Sequence, residues 1–258
     1  MRLFWAENPW PDIKRAAAEG YIVLLPAGAL EQHGPMLPVD TDARLAERWA
    51  RDGAALARDK YGVDCLVLPT LSYGQSCHHM NFPGTISFSF PTYLAALHDI
   101  LREVVRHGFL KVAVINGNGG NESSLRSAQY QVMEELTREG CRARIALFPG
   151  YGSPVISRGL RELQESGLMP SEGQMAIHAA GTETAETLAD RPELVKLDDC
   201  ERPQLERETV PDWAWRTEEL STTGAFGDPS LATAELGEAL WNLWAEAVAD
   251  FLRGLAED

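Results

Sequence analysis

Short apolar runs alternate along this chain with longer stretches of helical periodicity, and this alternation restricts the fold more than any other feature. The strand-like runs are Tyr21–Leu25, Cys65–Leu68, Val112–Ile115 and Ile145–Phe148. Apolar residues at helical spacing predict helices over Ala43–Tyr61, Thr92–His107, Glu122–Glu139 and about Leu231–Leu255. Such alternation predicts an α/β fold in which helices cover both faces of a mostly parallel sheet.

The segment that follows the first strand-like run contains two carboxylates and a histidine. Glu31 and His33 are two residues apart, so in extended backbone both side chains lie on one face. Gly34 and Pro35 predict a turn, after which Asp42 can return to the same point. These three side chains form a candidate site for a divalent metal. The alternative is a solvated glutamate beside a hydrogen-bonded histidine.

A glycine-rich loop follows the third strand-like run, with the sequence Asn-Gly-Asn-Gly-Gly-Asn at 116–121. The carboxyl ends of parallel strands share one edge of a sheet, where ligands bind, so this loop is expected near Glu31. Its glycines permit close approach of the backbone, and the helix that it opens offers free N–H groups. The alternative is a tight turn from strand to helix.

Three further residues are candidates for the same site. His78 and His79 are adjacent and point in different directions, so His79 is expected to pack or to contact a substrate rather than to bind a metal. His178 is a candidate general acid or base, because an unperturbed imidazole titrates near neutral pH. Glu183 is a candidate ligand; the alternative is an exposed residue in the first turn of a helix.

Composition and charge exclude several classes of partner. The formal net charge of −15 over 258 residues argues against binding to nucleic acid or to anionic membranes. The four cysteines form no CxxC pair, no apolar run is long enough to span a membrane, and the start lacks a signal-peptide pattern. We therefore expect a cytoplasmic protein with residues 1–258 in one domain.

The irregular region Asp198–Gly227, with Trp213 and Trp215, is expected to cover the site or to meet a neighbour. Trp241 and Trp244 are expected to extend the apolar face of the last helix or to form a dimer contact.

Taken together, these motifs resemble the creatininase (creatinine amidohydrolase) family. The resemblance rests on Glu-Gln-His-Gly at 31–34, Phe-Pro-Gly-Thr at 82–85, the loop at 116–121, Glu183-Thr184 and Gly-Asp-Pro at 227–229. It implies a three-layer α/β/α sandwich and a metal-dependent hydrolase that acts on a small-molecule substrate. It also implies two divalent ions, which would be Mn, Zn or Fe, and a homo-oligomer that is hexameric or built from dimers.

The resemblance further implies roles for individual residues. Glu31 and Asp42 would hold one ion, and Asp42 would bridge to a second ion held by His33 and Glu183. The loop position that usually supplies a histidine to the first ion is Asn118, whose neutral amide oxygen suits a hard ion better than zinc. The chain is therefore expected to bind one ion firmly and the other weakly, or only with substrate present.

The implied chemistry is hydrolysis, in which metal-bound water attacks a carbonyl that the metal polarises. His178 would protonate the leaving group, and the N–H groups of Gly119 and Gly120 would stabilise the oxyanion. The bond broken is expected to be a C–N bond of an amide, cyclic amide or formamide. Two alternatives remain: cleavage of a C–C bond beside a ketone in a cyclic polyol ketone, and a relative that binds without catalysis. Ile177 replaces an acidic residue of creatininase, which makes creatinine itself an unexpected substrate.

Overall fold

Four parallel strands form the sheet at the centre of the fold. The structure, a computed structural model, describes residues 1–170, 178–199 and 214–258. The strands are β1 (Ile22–Ala27), β2 (Cys65–Val67), β3 (Lys111–Asn116) and β4 (Arg144–Leu147). Their order is β2-β1-β3-β4, and every neighbouring pair is parallel. All four strand-like runs of the sequence are therefore strands of this sheet.

Seven α-helices in the described residues surround the sheet. They are α1 (Trp10–Ala18), α2 (Thr41–Tyr61), α3 (Phe90–Arg106), α4 (Glu122–Arg138), α5 (Pro154–Glu165), α6 (Gly181–Asp190) and α7 (Ala234–Glu257). The four predicted helices correspond to α2, α3, α4 and α7, with ends that differ by at most a few residues. The shorter helices α1 and α5 were not predicted, since each is too short to show a sustained periodic pattern.

Side chains alternate between the two faces of the sheet and form two cores. On β1, Ile22 and Leu24 join a core formed with α2, α5, α6 and α7. Val23 and Leu25 point the other way, into a core formed with α1, α3 and α4. The fold is thus the three-layer α/β/α sandwich that was predicted, and it explains why β1 is apolar at every position.

The indoles of α7 lie inside the subunit. Trp244 stacks on Trp49 of α2 with ring centroids 4.1 Å apart. Trp241 is also buried, and its Nε1–H donates a hydrogen bond to the backbone oxygen of Glu186. The prediction that these tryptophans extend the apolar face is correct, and a dimer contact through them is wrong, because their rings fill the core between α2, α6 and α7.

The chain reverses its direction of progress across the sheet between β1 and β3. From β1 it moves to β2 through α2, whereas from β3 it moves to β4 through α4 on the opposite face. This leaves a crevice at the carboxyl ends of β1 and β3, where ligands bind in open α/β sheets. Gly28 and Gly117 line it so closely that a Cβ on either would lie within 2.4 Å of the backbone at the start of α2. The first turn of α2 is thereby fixed in the crevice.

None of the described helices combines the length and the apolar content that a membrane span requires.

Candidate metal centre

The segment between β1 and α2 folds back on itself and brings Asp42 to Glu31. The N–H of Glu31 donates to the backbone oxygen of Val39 over 3.0 Å. Gly34 has a φ of 64°, which is the left-handed conformation that allows the reversal. Asp42 then lies in the first turn of α2, where the helix dipole favours a negative charge. Glu31, His33 and Asp42 are all buried and offer ligand atoms within 4.8 Å of one another.

His33 presents one ring nitrogen to two carboxylates. Its Nδ1 lies 3.2 Å from the backbone oxygen of Glu31, and since a carbonyl only accepts, Nδ1 carries the hydrogen. Its Nε2 therefore faces Asp42 Oδ1 at 3.1 Å and Glu183 Oε2 at 3.8 Å. Within the described residues, neither His33 Nε2 nor Asp42 Oδ2 has a hydrogen-bond partner, although both are buried. A nitrogen and an oxygen left unpaired in this way fit the ligands of a cation.

Glu31 is surrounded by three other candidate residues. Its Oε1 lies 3.4 Å from His79 Nε2 and 3.6 Å from His178 Nδ1. Its Oε2 lies 3.3 Å from Nδ2 of Asn118. Together with the His33 cluster, these contacts define three overlapping sets of potential ligands: Glu31, His33 and Asp42; His33, His178 and Glu183; and Glu31, His79 and His178.

Asn118 turns its amide nitrogen, not its oxygen, toward the cluster. Its Oδ1 accepts a hydrogen bond from the N–H of Gly120 over 2.8 Å. Its Nδ2 faces acceptors on Glu31, Gln75 and Ser76. In this orientation Asn118 offers Glu31 a donor, and the N–H of Gly120 is engaged by the side chain of its own loop. As a metal ligand, Asn118 would have to give up both sets of contacts.

Glu183 enters the site from the first turn of α6. Its Oε2 accepts from the N–H of Ala179 over 2.6 Å, so the backbone ahead of the helix orients the carboxylate. The side chain is only 18% exposed, which contradicts the alternative of an exposed glutamate. His178 lies in the segment just ahead of α6, and the centroid of its ring is 4.4 Å from those of both His33 and His79.

Burial and mutual repulsion shift the titration of the whole cluster. Burial, together with the charge of Asp42, raises the pKa of Glu31 well above its usual range, and burial also raises the pKa of Glu183. For His33, burial opposes protonation, but the carboxylates of Asp42 and Glu183 outweigh it and raise the pKa to about 10. Burial lowers the pKa of His79 to about 2 and that of His178 well below its usual value. The cluster thus has an excess of acidic groups that a cation would balance.

Two residues of this network were not singled out from the sequence. The side-chain nitrogen of Gln32 lies 2.8 Å from His79 Nδ1 and 3.0 Å from His178 Nε2. The hydroxyl of Thr217 lies 2.7 Å from the same Nδ1 of His79. The position of Gln32 between two candidate residues in sequence could have identified it. Thr217 comes from a distant segment, and nothing in the sequence links it to the site. Trp215, near Thr217, places its ring against His78, so this part of the irregular region covers the site.

A cavity of about 520 Å³ adjoins the cluster. Its lining includes Asn118, Gly119 and Glu183, which belong to or adjoin the candidate ligands, and the aromatic residues Phe148 and Tyr151. A Cβ on Gly119 would meet no atom within 4 Å, so the loop leaves this space open. Ile177 and Trp213 lie outside the described residues.

Comparisons with known proteins agree with this architecture. The chain is 31% identical to a mycofactocin precursor peptide peptidase of Mycobacterium ulcerans, over 96% of this chain and 86% of that protein. It is 27% identical to a creatinine amidohydrolase of Pseudomonas putida, over 97% of this chain and 96% of that protein. A solved mutant creatininase of Zn-Zn type superposes with a TM-score of 0.82 at 25% identity, covering 98% of both chains.

A family model places the chain among these proteins. The model, described as "Creatininase: Creatinine amidohydrolase", matches residues 6–252, which include every strand and helix named above except the last turns of α7. The resemblance inferred from the motifs is thereby confirmed. The chain belongs to the creatininase family and is a hydrolase of that family.

Proposed function

We propose that this chain hydrolyses the C–N bond of an amide, cyclic amide or formamide with the help of a divalent metal. The observation that carries the proposal is the buried pair of His33 Nε2 and Asp42 Oδ2, which lack hydrogen-bond partners among the described residues. Glu31 and Glu183 bring further carboxylate oxygens to the same cluster. The relatives named as an amidohydrolase and as a peptidase match over nearly the whole chain, and both names denote cleavage of C–N bonds.

In the proposed site, His33, Asp42, Glu31 and Glu183 hold the metal. An ion bound there would supply an acidified water and polarise the substrate carbonyl. The ligand atoms are an imidazole nitrogen and carboxylate oxygens, a set that suits Zn, Mn or Fe. We propose two such ions per chain.

His178 is the proposed proton donor to the leaving group. Its Nδ1 faces the cluster, 3.6 Å from Glu31, and its Nε2 donates to the backbone oxygen of Gln32 over 2.9 Å. Nδ1 is therefore the nitrogen that would take up a proton and pass it on. The N–H of Gly119 is the proposed donor to the oxyanion, since the N–H of Gly120 already bonds to Asn118. Glu183 lies between the ligand cluster and the cavity, where it can accept a proton from the attacking water.

The substrate is proposed to occupy the adjoining cavity. Its volume of about 520 Å³ leaves room for a molecule larger than a single small ring, and Tyr151 and Phe148 offer it an apolar wall. This is consistent with a substrate other than creatinine.

The experiment is a hydrolysis screen of formamides, cyclic amides and short peptides, with the chelated protein compared before and after it is reloaded with Mn²⁺ or Zn²⁺. We expect turnover only in the loaded protein, and a loss of at least about 1,000-fold in His33→Gln, because this change removes an imidazole ligand. Equal turnover with and without metal would refute the proposal. A panel of cyclic polyol ketones in the same assay tests the alternative of C–C cleavage.

A further inference from the structure

The loop at 116–121 does not present a second metal ligand beside Glu31. Asn118 directs its NH₂ group at Glu31, and an amide nitrogen has no free electron pair for a cation. Turning the amide around would set Oδ1 against the carboxylate of Glu31 and the carbonyl of Gln75, and NH₂ against the N–H of Gly120. Position 120 has no room for a side chain that could replace the missing ligand, because a Cβ there would lie 2.1 Å from the backbone oxygen of Gln75.

His79 lies on the other side of the same carboxylate. Its ring is buried, and Nε2 is 3.4 Å from Glu31 Oε1, close to the separation of two ligand atoms bound about 2 Å from a shared metal. His178 Nδ1 completes a set of three ligand atoms that lie within 4.8 Å of one another. The 3-10 turn Cys77–His79 directs His79 inward, while the neighbouring His78 is only partly buried.

Hydrogen bonds on the far side of the ring allow Nε2 to keep its electron pair. Thr217 Oγ1 donates to the backbone oxygen of His78 over 2.9 Å, so it can accept a hydrogen from His79 Nδ1 over 2.7 Å. With the hydrogen on Nδ1, the electron pair of the ring is on Nε2 and faces Glu31. A histidine ligand whose other nitrogen donates to a fixed oxygen is the usual arrangement at metal sites.

Gln32 contacts the rings of both His79 and His178. His178 Nε2 lies 2.9 Å from the backbone oxygen of Gln32, and because a carbonyl only accepts, Nε2 carries the hydrogen of this ring. Nδ1 of His178 therefore keeps its electron pair and, like Nε2 of His79, faces Glu31.

We propose that His79 is a metal ligand of this chain, paired with Glu31 in the position that Asn118 does not fill. The inference rests on the proposed metal dependence and adds a ligand to it.

The test is metal binding by the full chain, measured without any substrate. Chelated protein is titrated with Zn²⁺ in a calorimeter, and the ions retained per chain after dialysis are counted. We expect His79→Gln to weaken the binding of one ion by at least about 100-fold, and Thr217→Val to weaken it by about 10–100-fold. His78→Gln is the matched control, since it changes the adjacent and less buried imidazole, and should bind as the wild type does.

A rescue variant separates a ligand role from a structural one. Adding Asn118→His to His79→Gln places an imidazole on the opposite side of Glu31 and should restore the lost binding. Circular dichroism of the chelated variants checks their fold, and Thr217→Val carries the test if His79→Gln does not fold. Unchanged binding in His79→Gln would overturn the ligand role while leaving metal dependence intact. A wild-type chain that binds no ion would overturn both.

Discussion

His33 Nε2 and Asp42 Oδ1 lie 3.1 Å apart in the buried crevice at the ends of β1 and β3. Each residue also holds an atom without a hydrogen-bond partner among the described residues. Such atoms destabilise a fold unless something else binds them. This pair is therefore the most direct structural sign of a cation site, and the first prediction concerns it.

Asp42→Asn should weaken metal binding by at least about 100-fold, because it removes a charged ligand and leaves a neutral amide of the same shape. The chelated variant should unfold at no lower temperature than the chelated wild type, since the change also removes a buried negative charge. Calorimetric titration and thermal unfolding measure the two effects. Asp40→Asn is the control: Asp40 pairs with Arg191 at the edge of the site, so metal affinity should be preserved. Equal affinity in the Asp42 variant would exclude this residue as a ligand.

A divalent ion should raise the thermal stability of the wild type. A ligand present at 100 times its dissociation constant and bound only to the folded state adds about 2.7 kcal/mol. Scanning calorimetry with increasing Mn²⁺ should therefore show a rising unfolding temperature. The same titration of His33→Gln should give a much smaller rise, and an equal rise in that variant would mean that the ion binds elsewhere.

Glu186 should make the stability of the protein depend on pH. Burial raises the pKa of Glu186 to about 8, although Trp49 Nε1 donates to its Oε1 over 3.0 Å. Below the usual pKa of 4.5 the carboxyl is protonated in both states, whereas between that value and 8 only the unfolded state ionises. Stability is therefore lost as the pH rises, by up to about 5 kcal/mol.

Glu186→Gln should remove this contribution, because the amide can still accept from Trp49 and does not ionise. Urea unfolding of the chelated proteins at pH 5 and pH 8 provides the measurement. The variant should gain stability relative to the wild type as the pH increases. Glu134→Gln, a change at an exposed glutamate of α4, should follow the wild type. A Glu186 variant that also follows the wild type would show that the carboxyl is ionised in the fold.

Gly119 and Gly120, in the loop at 116–121, should respond differently to substitution by alanine. A Cβ on Gly120 would lie 2.1 Å from the backbone oxygen of Gln75, whereas a Cβ on Gly119 would meet nothing within 4 Å. Gly120→Ala should therefore cost about 1–3 kcal/mol or more, and Gly119→Ala should change stability by less than about 1 kcal/mol. Denaturant unfolding of the two variants side by side tests this, and equal stabilities would mean that the loop moves freely.

The sequence was sufficient to predict the sheet, four helices and the return of Asp42 to Glu31. These features depend on local patterns: apolar runs, helical spacing and a turn at Gly34 and Pro35. The sequence singled out His79 rather than His78, but the hydrogen bonds of its ring were not predictable. They depend on the turn at 77–79 and on Thr217, which reaches His79 from far along the chain.

The position of Trp244 illustrates the same limit. A periodic pattern identifies an apolar helix face, but it does not say whether that face meets its own chain or another one. Here the partner is Trp49 of α2, a tertiary contact with no local signal. The expected homo-oligomer is independent of this helix face and stays a prediction.

The candidate ligands are far apart along the chain: Glu31, His33 and Asp42 precede β2, His79 follows β2, and His178 and Glu183 follow β4. An ion bound to these ligands links distant parts of the chain, and its binding energy stabilises the folded state in which they meet. During synthesis, this link can form only after α6 has been made. Tight metal uptake is thus expected to report that the chain has been synthesised through α6 and has folded, and a fragment that ends before α6 should fail to retain the ion.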